Sequence, residues 1–170
     1  AVLPEGAAGA PEAPVKVAQV MAGAAVGGAE TFFVRLCVAL ARAGEEVLPL
    51  IRTHPARANA LRAAGLAPRQ FRFGGPLDLF TRPRLARALK DFAPRVVVAW
   101  MSRAAQHTPR GNWLLAGRLG GYYDLKNFRH CDRLVANTRG LVRWIVERGW
   151  DESRVDWLPN FSPDLVGAAP

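Results

Sequence analysis

Apolar residues along this chain fall into short runs of two kinds that take turns. Residues 15–21 carry β-branched side chains at Val15, Val17 and Val20, the composition of a strand buried on both sides as in a parallel sheet. Downstream, Phe33, Leu36, Cys37, Leu40 and Ala41 recur at i, i+3, i+4 and i+7 with Arg35 and Arg42 off the stripe, which predicts an amphipathic helix closed by Gly44. The same order then repeats. Residues 46–51 predict a strand that Pro49 pushes towards a sheet edge, and 56–64 a short helix ended by Gly65. Residues 71–73 predict a brief strand, and 80–92 a helix stopped by Pro94. The strongest strand signal is 95–100, with 101–107 as the segment at its carboxyl end; 112–117 predicts another strand with 118–123 as its loop. A strand at 133–137, a helix at 139–148 closed by Gly149 and a strand at 155–158 running into Pro159 complete the series. Strand and helix in regular alternation predict an α/β fold, a doubly wound parallel sheet with helices on both faces.

Composition narrows what such a sheet could serve. The 170 residues suit one domain over 15–161, half of them hydrophobic, with 1–14 reading as a flexible extension and 162–170 as a linker or tail rich in chain breakers. The extension lacks the basic start of a signal peptide, and no apolar run approaches the length of a membrane span. Basic residues outnumber acidic ones by 23 to 14, and apart from Lys16, Lys90 and Lys126 they are arginines. Biased coding composition accounts for that excess as well as selection for anionic partners does. Arg82, Arg84, Arg87 and Lys90 would share one helix surface, where they could meet an anionic membrane. Nucleic acid is disfavoured, since no aromatic platform, zinc pattern or helix-turn-helix accompanies the charge. Cys37 on the helix stripe and Cys131, opening a predicted strand, read as buried thiols in a reducing compartment. His54, His107 and His130 are scattered, so no metal site is expected.

The chemistry concentrates where strands end. Glycines between the first strand and first helix free backbone N–H groups at a helix start, and Gly27 and Gly28 are the candidates to meet a phosphate. A dinucleotide site is disfavoured, because the spacing Gly23-x-x-x-Gly27-Gly28 departs from G-x-G-x-x-G and no acid follows the second strand. The plain alternative is a glycine loop that lets strand and helix pack closely. After the fourth strand, Ser102 and Arg103 could hold a phosphate or carboxylate, and His107 a hydroxyl; a surface ion pair and a structural histidine are the alternatives. In the loop 118–126, Gly120 and Gly121 permit close approach, while Tyr122 and Tyr123 offer flat faces and hydroxyls to a sugar. Asp124 is the carboxylate there that could bind an acceptor hydroxyl, with Lys126 as its charge partner, or else it caps a helix. Thr138 reads as an N-cap that could also touch a donor across a cleft. Trp100 is expected in the core beside Val96 and Val98, and Trp144, Trp150 and Trp157 over the last helix and strand.

Four strings in order carry a family resemblance: Gly27-Gly28-Ala29-Glu30, Trp100-Met101-Ser102-Arg103, Leu134-Val135-Ala136-Asn137-Thr138 and Trp157-Leu158-Pro159-Asn160. Over residues 15–161 the chain resembles the N-terminal, acceptor-side Rossmann-like domain of GT-B glycosyltransferases, in the retaining family-four-like group that includes lipopolysaccharide-core transferases. The resemblance implies transfer of a sugar from a nucleotide-diphosphate sugar to a sugar or glycolipid acceptor of the cell envelope, without cofactor or metal. It implies a cytoplasmic protein, peripheral at the inner face of the membrane, whose donor-binding C-terminal domain is absent from this chain, leaving it inactive alone. Within it, Gly27 and Gly28 would face the leaving phosphate. Asp124 and Glu30 are the candidate catalytic carboxylates, Glu30 orienting the loop or an acceptor hydroxyl unless it simply favours the helix start. Relatives carry a histidine soon after the strand where this chain has Arg118, so Arg118 joins the substrate-binding candidates and a transferred catalytic histidine does not. A stand-alone module for phosphate or anionic lipid, and half of a sugar-nucleotide epimerase, are the alternatives.

Overall fold

A computed structural model describes residues 13–23, 27–75 and 77–161. The expected extension and tail fall almost wholly outside the described residues, as does the middle of the glycine loop, 24–26. Seven strands form one parallel sheet: β1 (Lys16–Met21), β2 (Glu46–Arg52), β3 (Arg69–Phe71), β4 (Val96–Trp100), β5 (Leu114–Leu119), β6 (Arg133–Ala136) and β7 (Val155–Trp157). Their order is β3-β2-β1-β4-β5-β6-β7. The chain therefore winds outward in one direction from β1 and in the other from β4. The point between them, where direction reverses, is where open sheets of this class leave a crevice at their carboxyl edge.

Among the described residues five α-helices cover the sheet: α1 (Gly28–Arg42), α2 (Pro55–Ala63), α3 (Thr81–Phe92), α4 (Met101–His107) and α5 (Arg139–Glu147). Strand alternation divides the core in two. On one face Ala18, Val20, Leu48, Leu50, Val97 and Ala99 pack with Leu85 and Leu89 of α3 and Leu141 and Ile145 of α5. On the other, Met21, Ile51 and Trp100 pack with Phe32, Phe33 and Cys37 of α1 and Leu61 of α2. Burial pushes the Cys37 thiol far up and that of Cys131 up to about 12, so both are inert thiols.

Four expectations shift. Residues 101–107 form a helix, too short to show periodicity but rich in good helix formers and seated on Ala104 and Ala105. The fifth strand begins and ends two residues later than expected, paired from Val96↔Leu114 to Trp100↔Arg118, so Arg118 is a strand residue and not the start of a loop. Its charge interrupts the apolar run in sequence, and aromatic faces bury it in the fold. The brief strand is Arg69–Phe71; Phe73, at φ 44°, turns out of it into the core. Cys131 precedes β6 by two residues, and its sulfur lies against Gly117, where an added Cβ would come within 2.6 Å of the Phe128 ring.

Candidate functional site

At the carboxyl edge of the sheet, on either side of the reversal point, two adjoining clefts share Trp100 and Met101. The first, of about 260 Å³, is lined by Gly28, Ala29, Trp100, Met101, Arg118, Gly120, Asn137 and Asn160. The second, of about 330 Å³, is lined by Ala22, Gly23, Arg52, Trp100, Met101, Ser102, Arg103 and Tyr123. Met101, which opens α4 directly from β4, holds φ at 63°, a left-handed conformation that costs a non-glycine residue about 1–2 kcal/mol. Met101 thereby lines the first cleft together with Gly28 and Ala29 at the start of α1.

Helix α1 begins at Gly27, an extended N-cap with no side chain to satisfy the first-turn N–H groups, and its first residues, Gly28 and Ala29, form a wall of the first cleft. Space beyond Gly28 is open: a Cβ there would meet nothing within 4 Å. Glu30 does not enter that space. Its carboxylate folds back over the loop, where a Cβ on Gly23 or Gly27 would collide with it. The negative charge of Glu30 is felt by Arg57 and Tyr123, whose pKa values shift through burial first and Glu30 second. Arg57, buried on α2, donates to the Gly23 carbonyl at 2.9 Å and so ties the glycine loop to the helix after β2.

Arg118 forms the floor of the first cleft. It is 3% exposed, and its guanidinium lies 4.8 Å from the Phe32 ring centroid and 4.9 Å from that of Trp100. Trp100 is fixed in turn by donating from Nε1 to Gln19 Oε1 at 2.7 Å. Nη2 of Arg118 donates to the Leu158 carbonyl at 3.2 Å and to Asn160 Oδ1 at 2.8 Å. Nη1 is buried with no hydrogen-bond partner, and among the described residues no carboxylate is paired with this cation. Burial pulls its pKa down to about 10. A guanidinium in this setting remains charged at neutral pH and is short of one acceptor and one negative charge. Beside the open first turn of a helix, the arrangement can bind an oxyanion from two directions.

The structure thus brings Gly28 and Arg118 together in the first cleft and sets Ser102 and Arg103 on the wall of the second, while Gly27 is the N-cap of α1 and the Glu30 carboxylate lies against Gly23 and Gly27. The others are elsewhere. His107 ends α4 and packs edge-on against Phe73, at 5.6 Å between ring centres. Asp124 caps the 3-10 turn Leu125–Phe128, accepting from Lys126 N at 3.0 Å, and forms a 2.6 Å ion pair with Lys126 Nζ. This bonding holds the Asp124 carboxyl below the usual carboxylate range, which makes it a poor proton acceptor. The pair lines a separate hollow with Tyr123, Trp144 and Trp150. Tyr122 is exposed and edge-on to Trp144 at 5.1 Å. Thr138 caps α5, accepting from Leu141 N at 3.1 Å, while its neighbour Asn137 lines the first cleft. Asn137, Asn160, Arg52 and Arg57 were not among the expected site residues. For Arg57 there was a signal, an arginine in the buried stripe 57, 58 and 61 of a short helix.

The sequence profile of Glycosyltransferase Family 4 matches residues 26–162. The chain is 35% identical over 142 residues to the lipopolysaccharide core biosynthesis glycosyltransferase LpsE of Rhizobium meliloti (strain 1021), which covers 80% of this chain and 41% of that protein. It spans about two fifths of the length of the curated relatives it matches. In fold it is similar to a glycosyltransferase from Rickettsia africae ESF-5, with a TM-score of 0.69 at 13% identity over 90% of this chain and 48% of that one. It is also similar to Anabaena Alr3699/HepE in complex with UDP-glucose, at a TM-score of 0.65 and 14% identity, covering 91% and 47%.

Proposed function

The chain belongs to glycosyltransferase family 4, and on that footing we propose that it forms the acceptor-side half of an enzyme moving a sugar from a nucleotide-diphosphate donor to a cell-envelope acceptor. The observation that carries this reading is the buried, half-partnered guanidinium of Arg118 beside the uncapped start of α1. In such a transfer the bond from the anomeric carbon to the diphosphate breaks, a bond to an acceptor oxygen forms, and the hydroxyl proton is released. Negative charge grows on the departing phosphate. Preorganised donors aimed at that oxygen lower the barrier, and they serve the role a metal would otherwise fill. Gly28 and Ala29 supply backbone N–H groups, and Arg118 supplies a cation whose desolvated setting strengthens its pull.

The acceptor enters by the second cleft, where Arg103 and Ser102 offer a charge and a hydroxyl to an acidic sugar. Glu30, its carboxylate against Gly23 and Gly27, serves to orient these two glycines. Transfer proceeds with retention, and a second α/β domain holds most of the nucleotide. The relatives named for lipopolysaccharide core biosynthesis support a cell-envelope acceptor. The neighbour solved with UDP-glucose supports a nucleotide-sugar donor.

Calorimetric titration of the chain with UDP, GDP, their sugars and inorganic pyrophosphate tests this. The expected result is weak binding of every diphosphate, tighter than that of a nucleoside monophosphate and weakened about tenfold by Gly28→Val. Binding of nucleoside monophosphates as tight as that of diphosphates, or binding indifferent to Gly28→Val, would contradict it.

A further inference from the structure

Beyond β7 the chain runs along residues 158–161, and three contacts fix that segment at the first cleft. Leu158 N donates to the Ala136 carbonyl at 2.9 Å, which carries the pairing of β6 with β7 one step past the strand. Phe161 meets the Phe32 ring edge-on at 4.9 Å between ring centres. Between these anchors Asn160 lines the cleft, and its Oδ1 accepts from Arg118 Nη2 at 2.8 Å.

The chemistry of that contact orients the amide. A guanidinium carries N–H donors and no acceptor, so the Asn160 carboxamide turns its oxygen to Arg118. Its nitrogen, with two further donors, has no hydrogen-bond partner among the described residues. Both acceptors on Nη2, the Leu158 carbonyl and Asn160 Oδ1, are neutral. Together with the rings of Phe32 and Trp100 they set the plane and rotation of the guanidinium, and Nη1 is the group left without an acceptor. Neutral acceptors hold a cation without cancelling its charge. A carboxylate in the same place would satisfy it internally, as Asp156 does for Arg133 through paired bonds of 2.7 and 2.8 Å between β6 and β7. The fold thus gives a carboxylate to one arginine of neighbouring strands and a carboxamide to the other.

We propose that Asn160 is a positioning and anion-binding residue of the first cleft: Oδ1 fixes Arg118 while leaving its positive charge to the ligand, and Nδ2 adds donors to the backbone N–H groups of Gly28 and Ala29. The proposal rests on the reading of this cleft as the diphosphate site. Asn160 decides whether Arg118 is half of an internal ion pair or a cation that binds a ligand.

Calorimetric titration of the 170-residue chain with inorganic pyrophosphate and with UDP, repeated on Asn160→Asp and Asn160→Ala, tests the proposal. Asn160→Asp should lower affinity about 30-fold or more, because a carboxylate both cancels the Arg118 charge and repels the ligand. Asn160→Ala removes the tether and the Nδ2 donors without adding charge, and should cost about fivefold. Thermal unfolding gives a readout that needs no ligand: Asn160→Asp should raise the melting temperature of the native chain and not that of Arg118→Met, since the gain requires the cation. Equal losses of affinity in the two Asn160 variants would make the residue a structural tether and overturn the proposal, as would a melting temperature that Asn160→Asp leaves unchanged. Pyrophosphate binding that Gly28→Val weakens and Asn160→Asp does not would overturn this proposal alone and leave the reading of the cleft standing. Failure of the native chain to bind either ligand would overturn both.

Discussion

Arg118 and Lys126 are two cations near the same edge of the sheet, eight positions apart in sequence, and their surroundings are opposite. Lys126 is two-thirds exposed and paired at 2.6 Å with a carboxylate two residues away that also caps its own turn. Arg118 is sealed between two aromatic rings, bonded through Nη2 to the chain at 158–160, and left without a partner at Nη1. A solvated local pair contributes little to stability and has no vacancy to fill. A desolvated cation with an open donor is costly to keep and is explained by what it binds. The difference teaches that in this edge of the protein the ligand-facing charge is the one the fold leaves unsatisfied, although sequence position made the two look alike.

The sharpest way to break the comparison is Arg118→Met. Diphosphate affinity in the calorimeter should fall about 30-fold or more, the roughly 2 kcal/mol expected on losing one side of a buried charge contact. Thermal stability should hold or rise, since an uncompensated charge leaves the interior. A fall in melting temperature without loss of binding would make Arg118 a structural residue. Next in size, Gly28→Val should cost about tenfold in affinity, or 1.4 kcal/mol, while leaving the fold intact because a Cβ there meets open space.

Alkaline pH offers a third handle. Burial holds the folded-state pKa of Arg118 below its ordinary value, at about 10, so the native chain binds fewer protons than the unfolded chain above about that pH. The burial penalty is therefore present at neutral pH and is relieved as pH rises through about 10, while ligand affinity falls by about half between pH 8 and pH 10 as the guanidinium loses its charge. Affinity that stays flat over this range would place the anion elsewhere. The smallest effects belong to the other cation: Asp124→Asn and Lys126→Met should each change diphosphate affinity less than about twofold. A larger change would erase the distinction between the two regions.

The sheet was legible because parallel strands buried on both faces write continuous apolar runs, and because glycines close the helices at Gly44, Gly65 and Gly149, each with positive φ. The family resemblance was legible from four short strings at strand ends. What escaped was short-range or long-range in a way periodicity does not register. A seven-residue helix at 101–107 has too few turns to show its stripe. Arg118 was assigned to the wrong element, since its burial depends on Phe32, about 86 positions earlier, and on Trp100 from the neighbouring strand. Asp124 drew attention as the carboxylate of a glycine- and tyrosine-rich loop, yet its bonds are satisfied within two residues. Glu30 was read as a carboxylate that orients the loop or an acceptor hydroxyl, or simply favours the helix start, and the structure sets its carboxylate against Gly23 and Gly27.

The most direct test follows the backbone amides of Gly28 and Ala29 and the Arg118 guanidinium by 15N–1H NMR while pyrophosphate and then UDP are added. The account predicts that these three groups shift together at the lowest ligand concentrations, with Asp124 and Lys126 unmoved. Shifts centred on 122–126, with Gly28 and Arg118 silent, would contradict it.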